Sequence, residues 1–222
     1  MAAHGSTPPE GARLTRAALQ ALPRSRLHAG RNGTKAVIDL VTSGAPPFVV
    51  KDVAPRGFLV RLLLGPWQLK REARAYARLA GVTGIPRFLG VVDRQAIALE
   101  YVEGKPLKDL PRGSLPADFF DRLDALIAAM HARGVAHADL HRGDVLVGPA
   151  GQPYLIDFST SWVAADATAT MGRIFAQCRL ADRRSAAKLR RRYGPPGGPA
   201  PPTRPALYRR LGALRRLFGG RR

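Results

Sequence analysis

Cysteine is nearly absent from this chain of 222 residues: Cys178 stands alone. A single thiol excludes an intramolecular disulfide and any zinc site built from clustered cysteines. Long apolar runs are also missing. The longest, residues 58–69, is interrupted by Arg61 and by Gly65-Pro66, and it falls short of the roughly 18 residues that a membrane span needs. The first residues carry no apolar stretch of the kind that marks a secretory leader. A reducing, cytoplasmic setting is therefore the expectation. Acid is scarce at one end only. Residues 171–222 hold 15 of the 36 Lys and Arg but one of the 16 acids, Asp182. Residues 1–170 hold 21 bases and 15 acids. A nearly ordinary body thus carries a strongly basic end, which seeks phosphate on nucleic acid, anionic lipid or glycan. RNA-binding surfaces interleave aromatics with their cations. Here that end offers only Tyr193, Tyr208 and Phe218, which lowers a nucleic-acid role.

What is present suffices for one core. Hydrophobic residues make up 45%, and the length bounds the chain to one domain with a tail, expected as a monomer. Residues 1–24 read as an N-terminal extension with a short helix over 14–22. Strand-like segments 36–40 and 48–53 flank a turn at 42–47. Pro66 opens a helical pattern that runs to Ala80 and closes at Gly81. Segments 88–92 and 96–102 read as a hairpin. Pro116 starts the clearest helix, whose Phe119, Phe120, Leu123, Leu126, Ile127 and Met130 follow the 3.6-residue period, with Gly134 as its C-terminal cap. A small hairpin over 145–147 and 154–156 precedes a basic helix over 171–193. A Pro/Gly linker fills 194–205. In the last helix, 207–218, Leu207, Leu211, Leu214 and Phe218 share one stripe flanked by arginines. That suits either an anionic membrane surface or packing against the body. Strands with one helix, then helices with one hairpin, make an α+β pattern with two unequal lobes.

The densest polar cluster is His137-Ala138-Asp139-Leu140-His141-Arg142-Gly143-Asp144, followed by the apolar Val145-Leu146-Val147. Asp157 lies 13 positions beyond Asp144, after Leu155-Ile156 and before Phe158. Three acids thus sit beside apolar strands, where an unpaired carboxylate is costly. Acids kept in such places bind metal or move protons. Upstream, Lys51 shares a strand face with Val49 and Val53. Glu72, 21 residues later, is the sole acid of the 66–80 helix and falls on its apolar stripe with Leu69, Ala75, Tyr76 and Leu79. An inward glutamate requires a cation. Lys51 is one candidate, and a surface pair with Arg71 or Arg74 is the other.

These motifs resemble the protein-kinase-like phosphotransferases, whose catalytic loop reads His-x-Asp-x-x-x-x-Asn and whose metal motif reads Asp-Phe-Gly. The resemblance covers roughly residues 25–193 and implies a two-lobed protein-kinase-like fold with a reduced C-lobe. It divides the domain into an N-lobe over about 25–99, a hinge at 100–104 and a C-lobe over about 105–193, with 194–222 outside. It implies ATP and Mg2+ as cofactors. By the same resemblance His137 and Asp139 belong to the catalytic loop, with Asp139 accepting the proton of a hydroxyl acceptor. Asp157 and Asp144 would hold magnesium, and a Lys51–Glu72 pair would orient the α- and β-phosphates. Backbone groups of Glu100 and Val102 would meet adenine. The segment 30–37, with Gly30 and Gly33, either covers phosphates or is a plain hairpin turn.

The departures narrow the group. His141 stands where protein kinases carry Lys, Ser159 follows Asp157-Phe158 in place of Gly, and no Ala-Pro-Glu segment is present. The short C-lobe with Asp139-Leu140-His141-Arg142 is similar to the bacterial lipopolysaccharide kinases (3-deoxy-manno-octulosonic acid and core heptose kinases) and to RIO-like minimal kinases. The expectation is an ATP-dependent kinase whose acceptor is a lipopolysaccharide core sugar or a protein Ser/Thr, with peripheral contact to the inner membrane face. Asp144 in place of Asn keeps an oxygen ligand but adds charge. A catalytically weak or inactive ATP-binding scaffold is the alternative, followed by a RIO-like ribosome-associated role.

Overall fold

The computed structural model describes residues 14–28, 35–42, 46–164 and 169–196. Gly30, Gly33, the linker beyond 196 and the 207–218 helix lie outside the described residues.

The first lobe is built on a five-stranded antiparallel sheet. Its strands are β1 (Arg24–His28), β2 (Val37–Val41), β3 (Phe48–Asp52), β4 (Phe88–Asp93) and β5 (Ala96–Glu100), in the order β1-β2-β3-β5-β4. The period of two along β3 decides which face each residue serves. Phe48 and Val50 join Val41, Val92, Ala96 and Ala98 on one side, and Val53, Ile97 and Leu99 join the main core on the other. The first side is closed by helix α1 (Arg16–Gln20), whose Thr15 caps it by accepting from the Ala18 amide. Leu19 is fully buried there, and Arg16 bridges Asp52 and Asp93. α1 is therefore part of the sheet's core, not a detached extension, and the boundary read at residue 24 cuts through this packing. The sequence signal for β1 is weak because all five of its residues are exposed.

The opposite face receives α2 (Gly65–Arg78). A π-helical turn, Val60–Leu64, leads into it, and Pro66 occupies its first turn. Leu69, Glu72, Ala75 and Tyr76 are buried along one stripe, as their spacing requires.

The second lobe is smaller. Helix α3 (Ala117–Ala132) buries Phe119, Phe120, Leu123, Leu126, Ile127 and Met130, the six positions of the expected stripe. Helix α4 (Ala169–Tyr193) packs on it through Ala186, Leu189 and Tyr193. Gly134, after α3, has φ +72°, the left-handed conformation that a helix-ending glycine supplies. Strands β6 (Lys105–Pro106), β8 (Val145–Val147) and β9 (Pro153–Leu155) form one small sheet, and β7 (Val135–Ala136) pairs with β10 (Trp162–Val163). The pairings of β6, β7 and β10 span two residues each, too short to leave a periodic signal. The whole is the expected α+β, kinase-like arrangement.

Candidate active site

Lys51 and Glu72 meet where β3 faces α2. Lys51 Nζ lies 2.5 Å from Glu72 Oε1, with side-chain exposures of 9% and 2%. Arg71 and Arg74 are not the partners of this buried acid. Burial works against the charged form of Lys51, but Asp157 and Glu72 hold the ammonium protonated, above its ordinary range. Burial pushes the Glu72 carboxyl up, opposed by Lys51.

Asp157 is the third member. Its Oδ1 is 3.2 Å from Lys51 Nζ, and its Oδ2 is 3.6 Å from Lys35 Nζ. Burial opposes its charge as well, yet the two lysines hold its carboxyl well below the usual carboxylate range. Asp157 itself has φ +65°, a strained conformation for a residue with a Cβ.

The segment after Asp157 is held against α2. Arg71 donates to the Ser159 carbonyl. Phe158, fully buried, packs edge-on to Tyr76 at 5.0 Å and against the His137 ring at 5.1 Å.

The loop from 137 to 144 is held from beneath by Asp182 on α4. This carboxylate is completely buried. It accepts from His131 Nε2 (2.9 Å), from the His137 amide (2.8 Å) and from the Ala138 amide (2.9 Å). Ala138 has φ +65°, so the anchor offsets a strained turn next to Asp139. His137, expected among the catalytic residues, is 1% exposed, and its Nε2 meets the Ile156 carbonyl at 3.0 Å. A ring so enclosed cannot touch a substrate, so His137 positions the loop instead. Asp139 is half-buried beside it.

Asp144 and Asp157 come to one end of the β8–β9 hairpin. Val145 pairs with Leu155, and the Ile156 amide donates to the Asp144 carbonyl at 2.9 Å. Asp144 is buried. Its Oδ2 accepts from the His141 amide at 2.9 Å and lies 2.7 Å from His141 Nδ1. The bond to Asp144 raises the His141 imidazole above its ordinary value. Two aspartates at one strand end offer oxygen donors of the kind magnesium takes together with phosphate oxygens and water. Among the described residues no group of three or more acidic, His or Cys side chains is gathered for a metal. The residues therefore fit a cation shared with a phosphate ligand and not a protein-only cage.

At the hinge, the Glu100 amide is taken by the Arg87 carbonyl (2.9 Å), and its carboxylate accepts from the Arg87 amide (2.9 Å). The Val102 amide meets no protein acceptor among the described residues. Gly104 runs against β8 so closely that a Cβ would lie 2.8 Å from the Val147 carbonyl oxygen.

Sequence reasoning did not single out Lys35, Arg71, Tyr76 or Asp182 for the site. One signal was available: Asp182 is the only acid in the basic end, on a helix face with Cys178 and Ala186.

Comparisons with known proteins give partial matches to kinase-like proteins. A RIO domain matches residues 62–171. The 3-deoxy-D-manno-octulosonic acid kinase of Xylella fastidiosa (strain M12) is 36% identical over 80 residues, covering 36% of this chain and 32% of that protein. A probable SapB synthase of Streptomyces coelicolor is 30% identical over 115 residues, 42% of this chain and 12% of its own length. A putative cyclin-dependent kinase F-2 of Oryza sativa subsp. japonica is 36% identical over 78 residues, 31% of this chain and 24% of its own. The chain spans about a third of the length of the octulosonic acid kinases that it matches. Two unequal lobes, a buried Lys51–Glu72 pair, the acids of the 137–157 region and these partial matches together support a likeness to the protein-kinase-like phosphotransferases, with residues 62–171 similar to a RIO domain.

Proposed function

We propose that the chain is an ATP- and magnesium-dependent kinase that transfers the γ-phosphoryl group to a hydroxyl. The acceptor is a sugar of the lipopolysaccharide core, by likeness to the octulosonic acid kinases, with a protein Ser/Thr as the second choice. The observation that carries the reading is the convergence of Lys51, Glu72 and Asp157 in one charge cluster, with Asp144 at the adjoining strand end.

Each residue then has a task. Glu72 fixes Lys51, whose ammonium binds the α- and β-phosphates. Asp157 and Asp144 would hold the magnesium, which would supply charge neutralisation at the phosphates. Glu100 and Val102 contact adenine through main-chain groups. The Glu100 amide is occupied, so its carbonyl and the Val102 amide serve. Asp139 takes the proton of the acceptor hydroxyl as that oxygen bonds to the γ-phosphorus, and the bridging oxygen leaves with ADP. Positioning and charge neutralisation supply most of the rate.

A second reading, an ATP-binding scaffold with weak or no turnover, is favoured by one observation: Asp144 is already committed to His141. Incubation with γ-labelled ATP and either lipopolysaccharide or a generic protein substrate separates the readings. Labelled lipopolysaccharide supports the first. ATP binding with no labelled product supports the second.

A further inference from the structure

Of the apolar run at residues 58–69, Leu69 enters the core, but most of the large side chains before it do not. Phe58, Leu59, Leu62, Leu63, Leu64 and Trp67 are 46–65% exposed, and no residue of the Val60–Leu64 turn is buried. Burying a Leu or Phe is favourable, so a fold that leaves six together in water has another use for them. The turn is held firmly from below. Gly65 sits so close to Val53 that a Cβ would lie 2.7 Å from Val53 Cγ2, and Gln95 Nε2 donates to the Arg61 carbonyl at 3.2 Å.

Charge indicates what covers this surface. Between Val53 and Val92 the sequence holds seven cations and one acid. That acid, Glu72, is buried against Lys51, so the exposed part of the segment is wholly cationic. Arg61, Lys70 and Arg74 are exposed around the apolar turn. A cleft of about 250 Å³ opens beside it, lined by Arg61, Leu62, Pro66 and the β4–β5 turn residues Asp93, Arg94 and Gln95. A second copy would bring like charge to like charge, and the chain's own basic end, with 15 bases and one acid over 171–222, would do the same.

We propose that residues 58–67 dock the protein on an anionic bilayer, with the six apolar side chains in the lipid interface and the cations among the headgroup phosphates. Protruding apolar anchors with a cationic rim are the requirement for interfacial binding, and each cation near an anionic surface adds to the attraction. The docking surface stands on exposure and charge alone and does not depend on the phosphotransfer reading. Its position does have a consequence for that reading. Trp67 stacks on Arg71 at 4.4 Å, and Arg71 holds Ser159, so the membrane-facing turn is one side chain away from the Asp157 segment.

Trp67 makes the test site-specific. The full chain is mixed with vesicles of phosphatidylglycerol in phosphatidylcholine, some carrying bromine on the acyl chains, and tryptophan emission is read. The expected result is a blue shift with quenching by brominated lipid, abolished in Trp67→Phe. The shift should be weak on pure phosphatidylcholine and reduced by salt. Leu59→Ser with Leu63→Ser should weaken vesicle binding at least about tenfold, with thermal unfolding unchanged because both side chains are exposed. Vesicle binding without any response from Trp67 would assign the membrane contact elsewhere and overturn the proposal. So would a dimer in solution that the same two substitutions convert to monomer, or a Trp67 response to RNA that exceeds the response to vesicles at matched salt.

Discussion

Arg71 reaches from the first half of α2 to the main-chain carbonyl of Ser159, two residues past Asp157. The helix that carries Glu72 is thereby tied to the segment that carries Asp157. A hydrogen bond from a charged donor is worth about 1.5–3 kcal/mol. Arg71→Ala should therefore slow phosphoryl transfer roughly 10- to 100-fold while the Lys51–Glu72 pair survives. Initial rates with labelled ATP, together with ATP binding by calorimetry, check this. Unchanged turnover would show that the tie does not matter to catalysis.

The buried charges are unequal in what their removal leaves behind. Lys51→Met strands Glu72, at 2% exposure, without its ion-pair partner. Breaking a buried pair in this way costs about 3–5 kcal/mol. Glu72→Gln leaves Lys51 with Asp157 at 3.2 Å and should cost clearly less. Urea unfolding of both variants tests the order, and a reversed order would contradict the cluster's geometry.

Asp182 is expected to be the most sensitive acid outside the charge cluster. Its loss leaves two amides and the His131 ring without their acceptor, at about 1–3 kcal/mol for each buried donor. Asp182→Ala should lower stability by several kcal/mol and release the strained Ala138 turn beside Asp139. Asp182→Asn keeps one acceptor oxygen and should fall between the two in a thermal melt.

The legible parts of this fold were those with strong periodicity or a specific chemical spacing. The α3 stripe, the β3 alternation and the inward Glu72 could all be read because a period of 3.6 or 2 assigns each residue to a face. The anchors could not. Arg71 and Asp182 act on main-chain groups 88 and 44–45 residues away, and a main-chain partner leaves no residue type in the sequence to match. His137 was legible as part of a motif but not as a buried support. Its burial comes from Phe158 and Ile156, which tertiary packing alone brings near.

Asp144→Asn restores the residue that the resemblance expects. Asn retains an oxygen that can accept from the His141 amide, as Asp144 does at 2.9 Å, but it removes the anion facing His141 Nδ1. Activity should be kept or raised, with a shifted magnesium optimum. Complete inactivation by this near-isosteric change would contradict this reading of position 144.

Cys178 supplies the pH test. Burial, with Asp182 nearby, pushes its thiol up to about 11. The thiol should resist iodoacetamide at pH 8 in the folded chain, because the reactive thiolate is suppressed. A folded-state value raised above the unfolded one stabilises fully below the unfolded value, near 9. That contribution is lost as pH rises from there through the folded value. The stability difference between wild type and Cys178→Ala should thus shrink between about pH 9 and pH 11. Rapid native-state alkylation at pH 8 would contradict it.

Phosphoryl transfer by Asp139→Asn is the most direct measurement of the central claim. With γ-labelled ATP, magnesium and lipopolysaccharide, the account predicts a loss of about 10²–10⁴-fold, as expected for a general base. ATP affinity should be nearly unchanged, and Asp157→Ala should instead lose magnesium-dependent nucleotide binding. Equal turnover by wild type and Asp139→Asn would contradict the assignment of Asp139 as the base.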